Sequence, residues 1–228
     1  MTERVKPPEG IRTIGEISPD AALLVLVRHG EAVANVEGYV GGEGSCRGLT
    51  ATGRDQVAAL GRRWAKTGEV ADADGIISST LRRAIETREL LSASMPDLEV
   101  LEPRRTLCEL QPGEADGLSW QAYEERYGRP DWNLEPERPI APGGESWVSF
   151  VERASGALVD LATANRGCRL IVCCHAGVIE ASLIRFCYDA PPATRLQLRS
   201  DHASVTEWAY DGRWKLLSYN SATPVTLI

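Results

Sequence analysis

The chain has few histidines, three in 228 residues, and no excess of positive charge: 25 Lys and Arg stand against 32 Asp and Glu, giving −7 at pH 7. That balance disfavours nucleic acid and anionic membrane as partners. Apolar runs are short. The longest, such as Leu23 to Val27 and Leu170 to Cys174, fall well below the roughly 20 residues a membrane helix needs. The six cysteines, at positions 46, 108, 168, 173, 174 and 187, show no CxxC spacing, and a reduced, cytoplasmic setting is expected. Residues 1–20, MTERVKPPEGIRTIGEISPD, lack a central apolar stretch, which argues against a secretory signal and predicts a loosely ordered arm. No internal repeat, low-complexity tract or linker breaks the remainder. Residues 21–228 are therefore expected to form one domain with a substantial core.

What is present is alternation. Apolar runs of strand length alternate with stretches of helical periodicity, the pattern of parallel βαβ units. Ala22 to Val27 reads as a strand, and Val57, Leu60 and Trp64 recur at helical spacing over 52–65, with Thr50 or Thr52 as cap. Gly75 to Ser78 reads as a second strand, and Ser78 and Ser79 can cap the helix LRRAIETRELL. LEVL at 98–101 reads as a third strand. From Gln111 to Gly144 the pattern dissolves into prolines, tryptophans and mixed charge, with a short helix over 121–127; this predicts an excursion that caps the sheet. Val148, Val151, Ala154, Leu158 and Leu161 then mark a long helix after Ser146. RLIVCC from Arg169 is a strand, VIEASLIRFCY a helix, and residues 204–217 a hairpin about a two-residue turn at Asp211-Gly212. The expected fold is α/β, a three-layer sandwich with a mostly parallel central sheet and helices on both faces.

In such a sheet ligands bind at the carboxyl ends of the strands, where helix amino termini offer free N–H groups. Three polar sets fall at such ends: Arg28 and His29, Ser79 with Arg83 one turn on, and His175 followed by Ala176 and Gly177. Two guanidiniums, two imidazoles and a helix amino terminus suit a tetrahedral dianion, with phosphate the obvious candidate. A neutral imidazole can attack phosphorus, and adjacent guanidiniums favour that neutral form. Gly30 and Gly177 allow close backbone approach, and Glu109 is the carboxylate best placed in sequence to protonate a leaving oxygen. Each of the histidines and Arg83, taken alone, reads more often as structural, and Glu109 alone says little; Arg82 is the example of a helix arginine that pairs at the surface. The weight lies in one topology gathering all of them.

The same residues resemble the histidine phosphatase superfamily, in its phosphoglycerate mutase-like branch 1. LVRHGEAVAN at 26–35, GLTATGRDQ at 48–56, SSTLRRAIET at 78–87, CELQPGEADGLS at 108–119, PGGES at 142–146 and CCHAGVIEA at 173–181 follow the family's order. The resemblance implies that His29 is phosphorylated during turnover, that Arg28, Arg83 and His175 hold the phosphoryl group, and that Glu109 serves as acid and then base. It implies that Asn35 contacts the phosphate or substrate, and that neither metal nor other cofactor takes part. The chain departs from relatives at Asp116, where many carry glutamate, in the stretch after Asn220, and at His202, read as structural or as part of the pocket rim.

The resemblance implies a metal-independent phosphomonoesterase acting on a small phosphorylated metabolite and releasing inorganic phosphate. A cofactor-dependent phosphoglycerate mutase is the alternative within the family, though mutases carry a longer insertion than Gln111 to Pro142 and a different sequence about the acid. A non-catalytic phospho-ligand binder is the alternative of another class, disfavoured because a binder has no need of the acid. Trp120, Tyr123, Arg126, Tyr127, Arg129, Trp132 and Arg138 are candidate contacts to the substrate's outer part, against surface pairing with neighbouring glutamates. Self-association stays open.

Overall fold

A computed structural model describes residues 17–188, 190–196 and 198–223; most of the arm expected over 1–20 lies outside the described residues. In chain order the elements are β1 (Ala22–Arg28), α1 (Val33–Glu37), α2 (Ala51–Thr67), β2 (Gly75–Ser78), α3 (Arg82–Ser92), β3 (Glu99–Val100), α4 (Trp120–Tyr127), α5 (Trp147–Ala164), β4 (Arg169–Cys174), α6 (Ala176–Tyr188), β5 (Val205–Tyr210) and β6 (Trp214–Ser221), with single 3₁₀ turns at Arg105–Leu107 and Gly113–Ala115. They build a six-stranded mixed sheet in the order β3-β2-β4-β1-β5-β6. β3, β2, β4 and β1 run parallel, while β5 and β6 add an antiparallel edge.

The continuous apolar runs follow from burial on both faces. Leu24 and Leu26 of β1 face the cluster under α5 and α6, with Phe150, Leu158, Val178 and Trp208. Val25 and Val27 face the opposite cluster under α2 and α3, with Val57, Leu60, Trp64 and Leu91. A third, smaller cluster of Val40, Ala115, Tyr123, Ile140 and Ala141 anchors the excursion.

Differences from the sequence expectations are local. Thr50 caps α2 by accepting from the Gly53 N–H, and Ser146 caps α5 through the Ser149 N–H, but α3 has no side-chain cap at Leu81. Ser79 is drawn elsewhere: its Oγ bonds His175 and accepts only a long 3.3 Å bond from Leu81. β3 is two residues rather than four, because its chain breaks away after pairing Gly75 and Ile76. The β5–β6 hairpin turns through three residues, Asp211 to Arg213, with Gly212 at φ +102, instead of two.

Register is what positions the site. Arg28 pairs with Cys174, and Ser78 and Val27 both pair with Cys173, so β1, β2 and β4 end within one residue of the same row. The ladder then continues one step into the loops: the His29 N–H donates to Cys174 O at 3.0 Å and the Ser79 N–H to Cys173 O at 3.1 Å. His29, Ser79 and His175 therefore leave the sheet side by side.

Candidate active site

The three strand ends open on a cavity of about 410 Å³ lined at its inner end by Arg28, His29, Arg83, Ala176, Gly177 and Glu109, with Asn35 beside them. His29 and His175 are buried, their ring centroids 5.1 Å apart. The Nδ1 of His29 lies 2.7 Å from the Gly30 carbonyl, which can only accept, so the proton belongs on Nδ1. That leaves a lone pair on Nε2, to which Arg83 Nε donates at 3.2 Å. Burial, then the Arg83 and Arg28 charges, hold the His29 imidazole well below its ordinary value. The ring is neutral at pH 7, as a nucleophile must be.

Arg83 is buried and fixed from its other side by the Gly41 carbonyl, 2.9 Å from Nη1. Arg82 turns outward and pairs with Glu86 at 2.8 Å. Arg28 donates to Ser200 O and, at 2.9 Å, to His202 Nε2, while its Nε is buried with no protein partner. His175 lies one layer deeper than the cavity lining. Its Nε2 is 2.7 Å from Ser79 Oγ, its Nδ1 is buried without a protein partner, and burial followed by the Arg83 charge keeps it neutral as well. A guanidinium of Arg28 with an unpartnered N–H at the lining, and an unpartnered ring nitrogen of His175 just behind it, fit an anion with several oxygens.

Glu109 is locked in place by backbone amides. Oε2 accepts from the Gly177 N–H at 3.0 Å, at the first turn of α6, and Oε1 from Leu110 at 3.2 Å. A Cβ on residue 177 would sit 2.2 Å from Oε1, so only glycine permits this approach. Gly30 is similarly constrained, its hypothetical Cβ lying 2.3 Å from Gly53 O where β1 runs into the start of α2.

Several supporting contacts were not legible from the sequence. Arg153 on α5 forms a two-toothed pair with Glu145 (2.6 and 2.7 Å) and donates to the carbonyls of Thr106 and Cys108, while Glu145 accepts from Gln111 N. The pair thus braces both sides of the loop carrying Glu109. Asp116 accepts from Gly42 and Gly44, each at 2.8 Å, and from Ser45, tying the glycine-rich loop to the excursion. His202 stands beside Arg28 with its ring 5.9 Å from His29, so it belongs to the pocket's surroundings; burial and then the Arg28 charge lower it to about 4. Asn220, in the left-handed region at φ +52, holds that loop by a paired amide–carboxylate contact with Asp201. The signal in sequence was PGGES with an arginine eight residues beyond Glu145, a spacing that means nothing until α5 is placed.

Of the candidate outer contacts, Trp120 and Trp132 line the cavity. Tyr123 is buried in the small cluster. Arg126, Arg129 and Arg138 pair with Glu114, Glu124 and Glu135 at the surface. Among the described residues no group of His, Cys, Asp or Glu is placed to hold a metal ion, and no helix is long and apolar enough to cross a membrane.

An α/β sheet whose carboxyl edge offers paired neutral imidazoles and paired guanidiniums defines an enzyme for phosphoryl groups. The chain belongs to the histidine phosphatase superfamily, branch 1, whose sequence profile matches residues 24–222. It is 32% identical over 203 residues to "Phosphoglycerate mutase-like protein 4" of Arabidopsis thaliana, covering 86% of this chain and 84% of the relative. It is 27% identical to the "Metal-independent phosphoserine phosphatase" of the same plant, over 91% and 87% of the two chains. Among solved structures it superposes on a mycobacterial glucosyl-3-phosphoglycerate phosphatase with TM-score 0.70 at 25% identity, covering 88% of this chain and 99% of the other. Bacillus stearothermophilus YhfR, at 24% identity with TM-score 0.75 over 90% and 100% of the chains, shares the fold. The chain is a phosphatase-type hydrolase of this family.

Proposed function

We propose that the chain hydrolyses small phosphomonoesters without a metal, through a phosphohistidine on Nε2 of His29. The reading is carried by one observation, the tautomer of His29: the Gly30 carbonyl takes the Nδ1 proton and leaves the Nε2 lone pair facing the guanidinium of Arg83. Nε2 attacks phosphorus as the bond to the ester oxygen breaks, and Glu109 passes a proton to that oxygen. Water then attacks the phosphohistidine, Glu109 takes back a proton, and inorganic phosphate departs as His29 is restored. Arg28, Arg83, His175 and the amide of Ala176 offset charge on the equatorial oxygens, while the Gly177 amide holds Glu109; each such donor is worth roughly 10²–10³ in rate at comparable sites. Asn35 lies where it can touch the phosphate or the leaving group. The relatives named for phosphoserine and glucosyl-3-phosphoglycerate hydrolysis agree with monoester chemistry.

The test is phosphate release from p-nitrophenyl phosphate in chelator-treated buffer. Turnover that persists with chelator and disappears in His29→Ala supports the reading; unchanged turnover in His29→Ala overturns it. Interconversion of phosphoglycerates that requires a bisphosphorylated primer, with no net phosphate release, would assign a mutase instead.

A further inference from the structure

Resting on that phosphatase reading, we propose that the leaving group is neutral and presents a flat, apolar face, as an aryl or arylalkyl alcohol does, and that carboxylate-bearing phosphomonoesters are poor substrates. The cavity changes character along its length. The guanidiniums that line it, Arg28 and Arg83, both lie at the inner end with His29. Outward, the lining is dominated by Val40, Leu110, Trp120, Trp132, Ile140 and Trp147, with Tyr39, whose hydroxyl donates to Ser45 O at 3.1 Å.

The indoles of Trp132 and Trp147 offer carbon surface rather than donors. Trp132 Nε1 donates to Arg138 O at 2.9 Å and Trp147 Nε1 to Thr194 O at 2.8 Å, so both N–H groups are committed to backbone. The two rings stack on each other at 5.9 Å, and the guanidinium of Arg195 lies 4.1 Å from the Trp147 centroid, holding the wall in place without itself lining the cavity. Arg129 lies 5.7 Å over Trp120 but is engaged with Glu124. Among the described residues the one carboxylate in the lining is Glu109, at the inner end. A substrate carboxylate would thus enter apolar surroundings with no cation among the described residues that line the outer part to pair it. An aromatic ring meets aromatic faces instead.

The experiment compares kcat/KM for three primary alkyl phosphates of similar intrinsic reactivity: 2-phenylethyl phosphate, O-phosphoserine and 3-phosphoglycerate. The expected result is at least a tenfold preference for 2-phenylethyl phosphate. Trp120→Leu and Trp132→Leu, each checked for folding by circular dichroism, are expected to reduce that preference threefold or more through its kcat/KM. Equal or better use of either carboxylate substrate overturns the proposal, as does a preference unchanged in both folded variants. No phosphate from any of the three esters, nor from p-nitrophenyl phosphate, would overturn the phosphatase reading and the proposal with it. Release from p-nitrophenyl phosphate together with a preference for carboxylates leaves the phosphatase reading standing and overturns only the proposal.

Discussion

The inner and outer halves of the cavity are built from different kinds of chain. The inner half stands on strand ends and the first turns of helices: Arg28 and His29 after β1, Ser79 after β2, His175 with α6 after β4. His29, Ser79 and His175 are buried and Arg28 half-buried, and each is held by specific partners, so charge is fixed in place before any ligand arrives. The outer half draws Trp120, Trp132 and Ile140 from the excursion through 111–144, where irregular chain is stabilised by a small apolar cluster and by surface ion pairs, and Val40, Leu110 and Trp147 from segments beside it. The contrast teaches that the polar, charge-bearing end of the cavity is fixed by the sheet, while its apolar end depends largely on irregular chain.

The sharpest way to break the comparison is to move one inner charge. Arg83→Ala is expected to lower kcat/KM by roughly 10²–10³, and Arg83→Lys to recover little of it, because a point charge cannot donate through both Nε and Nη1 as Arg83 does to His29 and Gly41. Activity within threefold of the parent in Arg83→Lys would show that geometry at the inner end matters less than charge. Gly177→Ala should cost about 10²-fold in kcat, since the added Cβ must displace the Glu109 carboxyl 2.2 Å away. Here kcat measured with a poor alcohol leaving group, which needs the acid most, should fall further than with p-nitrophenyl phosphate.

The pH dependence of stability tests the buried imidazoles. His29 and His175 are held well below the ordinary 6.5, and His202 at about 4. Between those folded values and 6.5 the unfolded chain binds more protons than the native one, so stability is full above pH 6.5 and falls as pH drops below it. Urea midpoints taken from pH 7.5 down to 5 should decline across that window. A flat profile would contradict neutral, buried rings. The smallest effect is expected at the outer surface: Arg126→Ala or Arg129→Ala should change stability by less than about 0.5 kcal/mol and rates by less than about twofold. A tenfold loss of turnover in either would mean that the outer half does carry a working cation.

The same contrast explains what the sequence revealed. β1, β2, β4 and the helices α2, α5 and α6 were legible because period and burial agree, and so was the gathering of Arg28, His29 and His175, which sit at the ends of β1 and β4. The pairing of Arg153 with Glu145, the clamp of Asp116 on the glycine-rich loop and the place of His202 beside Arg28 were not legible. Each joins segments whose relative position no local pattern encodes: Asp116 reaches Gly42 and Gly44, and Arg28 reaches His202, 174 residues away. Ser79 shows competition between levels, since a residue suited to cap α3 is taken by His175 instead. The excursion's arginines were ambiguous in sequence for the same reason; exposure and partner glutamates resolve them toward the surface.

The most direct measurement is to mix the enzyme with a phosphorus-labelled monoester, stop the reaction within milliseconds in alkali, and map the label by mass spectrometry. The account predicts an alkali-stable phosphoryl group on His29, formed at a rate no slower than turnover and absent from His29→Ala. Label on another residue, or steady hydrolysis with no labelled protein during the first turnover, would contradict it.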